Sequence, residues 1–216
     1  MAQRGTDDFF HGYAQGFDAI YGNQNTWFNR QVNERFRRSM RLRFERTLEV
    51  CRPLAGKTAV DIGCGPGHYS IALARAGAAH VHAVDFAPGM LEVTRKNAES
   101  AGVLEKISIE QADIFTYTFP DTYDYAVVMG FMDYMKDPAP IIAKILAVTR
   151  EVAVFSFPMA GGFLAWQRQQ RYRFKCPLYL YTLEQILALF DATGIPYDLV
   201  QLDRDFFVTV RVKDRR

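Results

Sequence analysis

A short apolar segment that ends in three alternating glycines most constrains the fold of this chain. Residues 58–62 read Thr-Ala-Val-Asp-Ile, and residues 63–67 read Gly-Cys-Gly-Pro-Gly. An apolar run of this length that stops at glycines predicts a buried strand entering a tight turn. Apolar residues at helical spacing follow in residues 68–76. The segment therefore predicts a strand–loop–helix unit whose loop backbone a ligand can approach closely.

Strand-like and helical patterns alternate through the rest of the chain. Predicted strands occupy residues 58–62, 80–84, 107–111, 123–129, 152–157, 197–202 and 206–212, and predicted helices occupy residues 68–76, 88–101, 139–148 and 183–192. Because this alternation produces right-handed βαβ units, we expect an α/β fold with a largely parallel sheet and helices on both faces. Only residues 203–205 separate the last two strands, which predicts a closing antiparallel hairpin.

The length of 216 residues favours a single domain. Its parts are expected to be an N-terminal helical cap in residues 1–56, a cofactor-binding core in residues 57–157, a cap insert in residues 158–182, and a C-terminal helix and hairpin in residues 183–216. Three scattered cysteines indicate neither a disulfide framework nor a metal site. No apolar run is long enough to span a membrane, and the first residues lack a signal core, so a cytoplasmic protein is expected.

Carboxylates at three predicted strand ends indicate which ligand the loop accepts. Asp61 directly precedes the glycines, Asp85 ends the second strand, and Asp113 follows the third. An acidic group beside the loop repels a pyrophosphate but attracts a ligand that carries a sulfonium and an ammonium. A carboxylate at the second strand end can accept ribose hydroxyls. His68 stands where the dinucleotide fingerprint requires its third glycine, and no Gly-Lys-Ser/Thr follows, which argues against dinucleotide and phosphate loops.

The chain has alternating glycines after a strand-terminal aspartate, and an aspartate at each of the next two strand ends. This pattern resembles the motifs of class I S-adenosylmethionine-dependent methyltransferases. The resemblance covers residues 57–157. It implies a Rossmann-like seven-stranded sheet in the order 3-2-1-4-5-7-6, with the seventh strand antiparallel. It also implies that Asp61 holds the methionine end, Asp85 the ribose, and Asp113 the adenine. The implied S-adenosylmethionine site comprises Asp61, Gly63, Cys64, Gly65, Gly67, Asp85, Phe86, Met90, Asp113, Ile114, Met129 and Gly130.

Methyl transfer from a sulfonium is an in-line displacement, so alignment of the reactants carries most of the catalysis. A general base helps when the acceptor is a weak nucleophile such as a hydroxyl. Asp133 and Tyr134, after the fourth strand, and His68, after the glycine loop, are the candidate catalytic residues. Structural interpretations remain open for each: a helix cap for Asp133, core packing for Tyr134, and an exposed helix start for His68. His80 and His82 alternate on a strand and are interpreted as structural.

Two segments outside the core are expected to cap the site. The fragment Tyr13-x-x-x-Phe17-Asp18-x-x-Tyr21 is similar to the lid helix of small-molecule methyltransferases, although simple packing on the sheet edge remains open. The segment from Pro158 to Tyr181 mixes basic and aromatic residues, which suit an anionic, partly apolar substrate.

An arginine-rich helix is predicted between these regions, over residues 32–51. Its apolar stripe is formed by Phe36, Met40, Phe44 and Leu48. Its arginines are Arg35, Arg37, Arg38, Arg41, Arg43 and Arg46. Most are expected to form a solvated face, and one or two could bind a substrate carboxylate or phosphate.

The expected function is therefore S-adenosylmethionine-dependent methyl transfer to a small molecule, at an oxygen or nitrogen of an anionic or aromatic metabolite. The whole chain resembles the methyltransferases of the magnesium-protoporphyrin and quinone pathways. A nucleic-acid methyltransferase is an alternative, but residues 129–132 read Met-Gly-Phe-Met rather than Asn/Asp-Pro-Pro-Tyr/Phe, and a net charge of +2 gives it no support. A non-catalytic S-adenosylmethionine-binding protein and a nicotinamide oxidoreductase are further alternatives. The oligomeric state has no signal in the sequence.

Overall fold

The computed structural model describes residues 27–161 and 178–215, with side chains described from residue 38 onward. The helices are α1 Trp27–Val50, α2 His68–Arg75, α3 Pro88–Ser100, α4 Ala139–Ala147 and α5 Leu183–Asp191. The strands are β1 Thr58–Ile62, β2 His80–Asp85, β3 Ile107–Gln111, β4 Tyr123–Val128, β5 Thr149–Pro158, β6 Tyr197–Leu202 and β7 Asp205–Arg211. Short 3-10 turns occupy Leu104–Lys106, Met132–Tyr134 and Val212–Asp214.

The seven strands form one sheet in the order β3-β2-β1-β4-β5-β7-β6. Strands β1 to β5 pair in parallel, and β7 runs antiparallel to both of its neighbours. The predicted strand order and the closing hairpin are thereby confirmed. Because the order reverses between β1 and β4, a crevice is expected at the carboxyl ends of these two strands, where open α/β sheets bind ligands.

Helices cover both faces of the sheet, as predicted. On one face, α4 and α5 bury Ile141, Ile145 and Phe190 against Phe155 of β5. The opposite face carries α1, α2 and α3, and its core includes Leu73 of α2 and Ala98 of α3. Each fully buried large apolar side chain contributes about 1.5–3 kcal/mol to folding, so the two clusters hold the helices against the sheet.

Local sequence explains most of the element ends. Thr182 and Gln185 form a capping box at the start of α5, in which each side chain bonds the other residue's backbone N–H. Proline stands in the first turn of both α3 and α4, where a missing N–H costs nothing. Strand β5 begins at Thr149 rather than at the predicted residue 152, because its pairing with β4 already starts opposite Tyr123.

Helix α1 buries a polar line rather than the predicted apolar stripe. The buried residues along its sheet-facing side are Ser39, Arg43, Thr47 and, just beyond its end, Cys51. Of the predicted stripe, Met40, Phe44 and Leu48 are only half-buried. The side chain of Phe36 is not among those that the structure describes. Most of the arginines were expected to form a solvated face, and Arg38 and Arg41 are exposed. Arg43 is an exception, with an exposed fraction of 8%.

The predicted lid fragment, residues 13–21, and most of the basic and aromatic insert, residues 162–177, lie outside the described residues. Among the helices of the described ranges, none has both the length and the hydropathy needed to cross a membrane. Cys51 and Cys64 are free thiols, and both are buried.

Candidate functional site

The glycine loop, residues 63–67, lies at the carboxyl end of β1 beside the point where the strand order reverses. Its first two N–H groups, those of Gly63 and Cys64, donate to the carbonyl oxygen of Val84 in β2 at 2.8 and 3.1 Å. All three glycines adopt positive φ angles, between 52° and 79°, which other residues adopt only with strain. The alternating glycines are therefore a requirement of the loop's backbone conformation.

The carboxylate of Asp85 fastens this loop to the end of β2. One oxygen, Oδ2, accepts the N–H of Gly65 at 2.9 Å, and the other, Oδ1, accepts the N–H of Ala87 at 2.9 Å. Burial raises the pKa of Asp85, and the backbone hydrogen bonds counter that shift. A carboxylate offers about four lone-pair positions, so Asp85 keeps the capacity to accept from a ligand hydroxyl.

Helix α3 holds the outer side of the loop through side chains that the sequence analysis missed. Thr94 Oγ1 donates to the carbonyl oxygen of Gly65 at 2.5 Å, and Asn97 Nδ2 donates to that of Pro66 at 2.9 Å. A Cβ on Gly67 would stand 2.6 Å from Thr94 Cγ2. Thr94 therefore requires glycine at position 67, a contact between residues far apart in sequence that no local motif signals.

Asp61 lies 1% exposed at the end of β1. Its Oδ2 accepts the N–H of Ser70 at 3.0 Å and the Ser70 hydroxyl at 2.6 Å, so it satisfies a donor in the first turn of α2. Burial raises the pKa of Asp61 to about 6, although both bonds from Ser70 oppose the shift. Asp61 thus caps the first turn of α2, and its remaining lone pairs can accept from a ligand cation.

The space beside the loop differs between its first two glycines. A Cβ on Gly65 would meet no atom of the described residues within 4 Å, so the loop backbone is open to a ligand on that side. A Cβ on Gly63 would stand 2.7 Å from Cδ2 of Phe131, which follows β4. Phe131 thus packs on the glycine loop across the point of strand reversal, a neighbour that the sequence motif does not include.

The residues assigned to the adenine end lie on the β2 and β3 side of the loop. Asp113 is exposed, and its Oδ1 accepts the N–H of Phe115 at 2.9 Å. Ile114 is buried with the core, and Phe86 is half-buried, with its carbonyl oxygen accepting Gln111 Nε2 at 3.2 Å. Met90, in the first turn of α3, is 3% exposed. Asp113 and Phe86 are therefore the more accessible members of this predicted set.

The candidate catalytic residues occupy two different surroundings. Asp133 is buried, and Tyr134 half-buried, in the 3-10 turn that follows β4, whereas His68 is exposed at the first residue of α2. The carboxylate of Asp137 lies at the start of α4, where its Oδ1 accepts the N–H of Ala139 in the first turn of that helix at 3.3 Å.

The turn that carries Asp133 is fastened by the end of the cap insert. The N–H of Tyr179 donates to the carbonyl oxygen of Asp133 at 2.8 Å. The buried hydroxyl of Tyr181 donates to the carbonyl oxygens of Met132, at 3.1 Å, and of Met135. These contacts join residues more than forty positions apart, which explains why sequence patterns did not reveal them.

Met129 and Gly130 complete the carboxyl edge at the end of β4. Met129 is 8% exposed, and the N–H of Gly130 donates to Ser156 Oγ in β5 at 2.9 Å. The same hydroxyl accepts Nη1 of Arg43 at 3.2 Å. Asp61 is thus held by Ser70 of α2, and Gly130 by Ser156 of β5. Ser156 is contacted in turn by Arg43 of α1.

Residues 59–151 match the model of a family described as a methyltransferase domain. This matched segment spans less than half of the chain. It contains the glycine loop, Asp61, Asp85 and the Asp133 turn, whereas Arg43, Ser156 and Tyr181 lie beyond its ends. The match therefore covers the predicted cofactor site but not the side chains that fasten it from outside.

Curated relatives of the methyltransferase domain are ubiquinone biosynthesis O-methyltransferases. The protein of that name from Xylella fastidiosa (strain 9a5c) is 36% identical over 90 residues, 42% of this chain and 36% of that protein. The one from Actinobacillus pleuropneumoniae serotype 5b (strain L20) is 33% identical over 122 residues, 54% of this chain and 51% of that protein. The chain thus spans between about a third and a half of these relatives.

Solved structures show that the fold extends beyond the methyltransferase domain match. The magnesium protoporphyrin IX methyltransferase of Synechocystis PCC 6803 with bound SAH superposes with a TM-score of 0.73 at 19% identity, over 95% of this chain and 97% of that one. The [4+2]-cyclase SpnF gives a TM-score of 0.71 at 15% identity, over 95% and 94%. The predicted Rossmann-like fold is confirmed, and the cyclase shows that this fold alone does not specify methyl transfer.

Proposed function

We propose that this chain binds S-adenosylmethionine at the carboxyl edge of its sheet and transfers the methyl group to an oxygen of a small molecule. The observation that carries the proposal is the joint placement of the open glycine loop and two buried carboxylates, Asp61 and Asp85, at neighbouring strand ends within a methyltransferase domain. An oxygen acceptor is favoured because the curated relatives carry the name O-methyltransferase.

The residues present fit this cofactor better than a dinucleotide. Open space beside Gly65 lets a ligand reach the loop backbone. Asp61 would hold the ammonium of the methionine end, and Asp85 would accept the ribose hydroxyls. Asp113 would accept the adenine amino group, with Ile114, Phe86 and Met90 beside the ring. Asp61, buried beside the loop, disfavours a pyrophosphate and favours a cationic ligand.

Catalysis would come mainly from alignment. When bound, S-adenosylmethionine supplies the methyl group and leaves as a neutral sulfide. Met129 and Gly130 would line the place where the acceptor oxygen meets the methyl carbon, so that the carbon–oxygen bond forms as the carbon–sulfur bond breaks. Holding two reactants in line contributes about 7–11 kcal/mol in well-aligned systems.

A hydroxyl acceptor must also lose its proton. Asp133 is the residue we propose as the base, because its turn follows β4 and is held rigidly by Tyr179 and Tyr181. It would take the acceptor proton and release it to water after methyl transfer. Tyr134 would orient the acceptor, and His68, which is exposed, is the alternative base.

The cofactor half of the proposal is tested by titration calorimetry of the purified protein with S-adenosylmethionine and S-adenosylhomocysteine. We expect saturable binding of both, and no binding of NAD. Binding of NAD in place of both sulfur ligands would support an oxidoreductase and overturn the proposal.

The transfer half is tested by following S-adenosylhomocysteine release with a panel of phenols, catechols and aromatic carboxylic acids. We expect turnover with an aromatic hydroxyl, a lower kcat in Asp133→Asn, and an unchanged donor Kd in that variant. Donor binding without turnover on any small acceptor or on nucleic acid would favour a non-catalytic binding protein. Turnover on nucleic acid alone, weakened steeply by salt, would favour the nucleic-acid alternative.

The proposed setting is a reducing cytoplasm with a small-molecule partner. Cys51 and Cys64 are buried free thiols, and burial raises the pKa of each, so both are kept in the unreactive protonated form. That state suits a compartment in which disulfides do not form.

A further inference from the structure

A buried polar network links helix α1 to the start of β7. Ser39 Oγ donates to Asp205 Oδ2 at 2.7 Å, and Arg43 Nε lies 3.4 Å from the same oxygen. Ser39 and Asp205 are 166 positions apart in sequence, yet their exposed fractions are 1% and 3%. Helix α1 is thus docked on the sheet through charged and hydroxyl groups rather than through an apolar contact alone.

The same guanidinium reaches the end of β4. Arg43 Nη1 donates to Ser156 Oγ at 3.2 Å, and that oxygen accepts the N–H of Gly130 at 2.9 Å. A Cβ on Gly130 would lie 4.0 Å from Arg43 Nη1, so the guanidinium lies directly against this backbone. Gly130 has a φ of 70°, a conformation that other residues adopt only with strain.

Phe131 connects the end of β4 to the glycine loop. Phe131 follows Gly130 in the chain and packs on Gly63, where an added Cβ would stand 2.7 Å from the phenyl ring. The orientation of the Gly130 peptide therefore sets where the Phe131 ring meets the loop. A continuous path of contacts runs from Asp205 through Arg43, Ser156 and Gly130 to that ring.

The charge of Arg43 is compensated within this network. Asp205 lies buried beside it, with side-chain exposed fractions of 10% and 5% for the pair. A buried ion pair is weak evidence for stability, because desolvation of both charges offsets their attraction. An arginine neutralised in this way is also a poor anchor for an anionic acceptor. Neither bulk stability nor anion binding accounts for a guanidinium at this place.

We propose that the Arg43 relay, defined as Ser39, Arg43, Ser156 and Asp205, positions the Gly130–Phe131 turn against the glycine loop. Arg43 is thereby a positioning residue, which acts on the donor site through Ser156 and the backbone. The effect on methyl transfer rests on the proposed function, but the effect on the Gly130 backbone does not. Two contacts in different directions require a guanidinium, because a lysine ammonium cannot span both at once.

The direct test compares Ser156→Ala with Ser108→Ala in amide NMR spectra of the full chain. Ser108 lies on β3, where its hydroxyl contacts His82, so it serves as a matched control. We expect Ser156→Ala to shift the amide signals of Gly130, Phe131 and Gly63, and Ser108→Ala to leave those three unchanged. Unchanged signals in Ser156→Ala would overturn the relay whether or not the protein binds S-adenosylmethionine.

The functional arm uses donor affinity and turnover. We expect Ser156→Ala to weaken S-adenosylhomocysteine binding about ten-fold, the order expected when a buried backbone donor loses its partner. Ser156→Thr, which keeps the hydroxyl, should restore most of that affinity. A purely structural role would lower the melting temperature without changing the Kd, and that outcome would overturn the proposal.

Arginine variants complete the test. Arg43→Lys should lower kcat/KM about as much as Ser156→Ala, whereas Arg211→Lys, at an exposed pair with Asp198, should not. Arg43→Met would remove the buried positive charge beside Asp205, so Arg43→Met with Asp205→Asn keeps the experiment informative if the single variant does not fold. Wild-type affinity in the double variant would contradict the relay. Absence of donor binding in the wild type would instead count against the proposed function.

Discussion

Asp85, at the end of β2, accepts the backbone N–H of Gly65, in the loop after β1, at 2.9 Å. The family resemblance assigns Asp85 only to a ligand, yet in the structure its carboxylate also joins two neighbouring strand ends. Its second oxygen accepts the N–H of Ala87, which fixes the entry to α3. The residue expected to contact ribose is therefore also the residue that shapes the loop.

Asp85→Ala is expected to reduce both stability and donor affinity. Hydrogen bonds to a charged group contribute about 1.5–3 kcal/mol each, and two backbone donors lose their partner. Urea denaturation should show a loss of about 2–4 kcal/mol, and calorimetry should show donor binding at least ten-fold weaker. Asp198→Ala, which removes an exposed carboxylate, is the control and should change neither. Wild-type affinity in Asp85→Ala would refute the ribose assignment.

Three glycine-to-alanine variants separate backbone strain from ligand contact. Gly56 and Gly65 both have positive φ, and in the part of the chain that the structure describes no atom would lie within 4 Å of a Cβ on either. Both variants should therefore lose similar stability, about 1 kcal/mol, from strain alone. Only Gly65→Ala should weaken donor binding, because its Cβ projects into the open space beside the loop. Equal donor affinities in the two variants would show that the ligand does not approach Gly65.

Gly63→Ala should be the most damaging of the three. Its Cβ would stand 2.7 Å from Phe131, so strain is joined by a clash with a packed ring. Thermal unfolding should give a larger fall in melting temperature than Gly56→Ala produces. Combining Gly63→Ala with Phe131→Ala should recover part of the loss, and no recovery would mean that Phe131 is not the obstruction.

The raised pKa of Asp61 predicts a pH dependence of stability with a definite sign. Burial raises this pKa from 3.8 to about 6, so between these values the folded chain holds a proton that the unfolded chain has released. The free energy of unfolding should fall as pH rises through this window. Relative to Asp61→Asn, the wild type should lose up to about 3 kcal/mol between pH 4 and pH 7. Urea denaturation of both proteins across the window measures the difference.

Donor binding should respond to the same ionisation in the opposite direction. A charged Asp61 attracts the ligand ammonium, so wild-type affinity should rise as pH passes about 6 and then level off. Calorimetry of Asp61→Asn should show weaker binding with little pH dependence over that range. A wild-type affinity independent of pH would separate Asp61 from the cofactor.

Local patterns predicted the strands because the apolar residues that define each strand lie within a few positions of one another. The strand order was predicted from the family resemblance. Asp61, Gly65 and Asp85 were predicted from the glycine loop and the aspartates at neighbouring strand ends. What local patterns could not predict depends on contacts between distant positions. The Ser39–Asp205 bond and the Thr94–Gly65 bond cross many residues, and hydroxyl side chains have no periodicity that points to a partner.

Arg43 shows why the burial pattern along α1 could not be predicted from local sequence. Charged residues are rarely buried unless paired, so an arginine-rich helix correctly suggests a solvated face. The partner that reverses this expectation is Asp205, at the far end of the chain, and only the fold brings the two together. Burial along α1 is therefore decided by tertiary pairing and not by the apolar spacing of Met40 and Phe44.

Tyr181→Phe should impair turnover while leaving donor binding intact. The substitution keeps the buried ring and removes only the hydroxyl that donates to the carbonyl oxygens of Met132 and Met135, on either side of Asp133. Loosening this turn should misplace the proposed base, so we expect kcat to fall about ten-fold, in line with general-base contributions of 10²–10⁴-fold that are only partly lost. Tyr197→Phe, which removes the bond to Asp191 in α5, is the matched control and should retain wild-type kcat. If kcat fell equally in both variants, or the donor Kd rose in Tyr181→Phe alone, the hydroxyl would not act through the Asp133 turn.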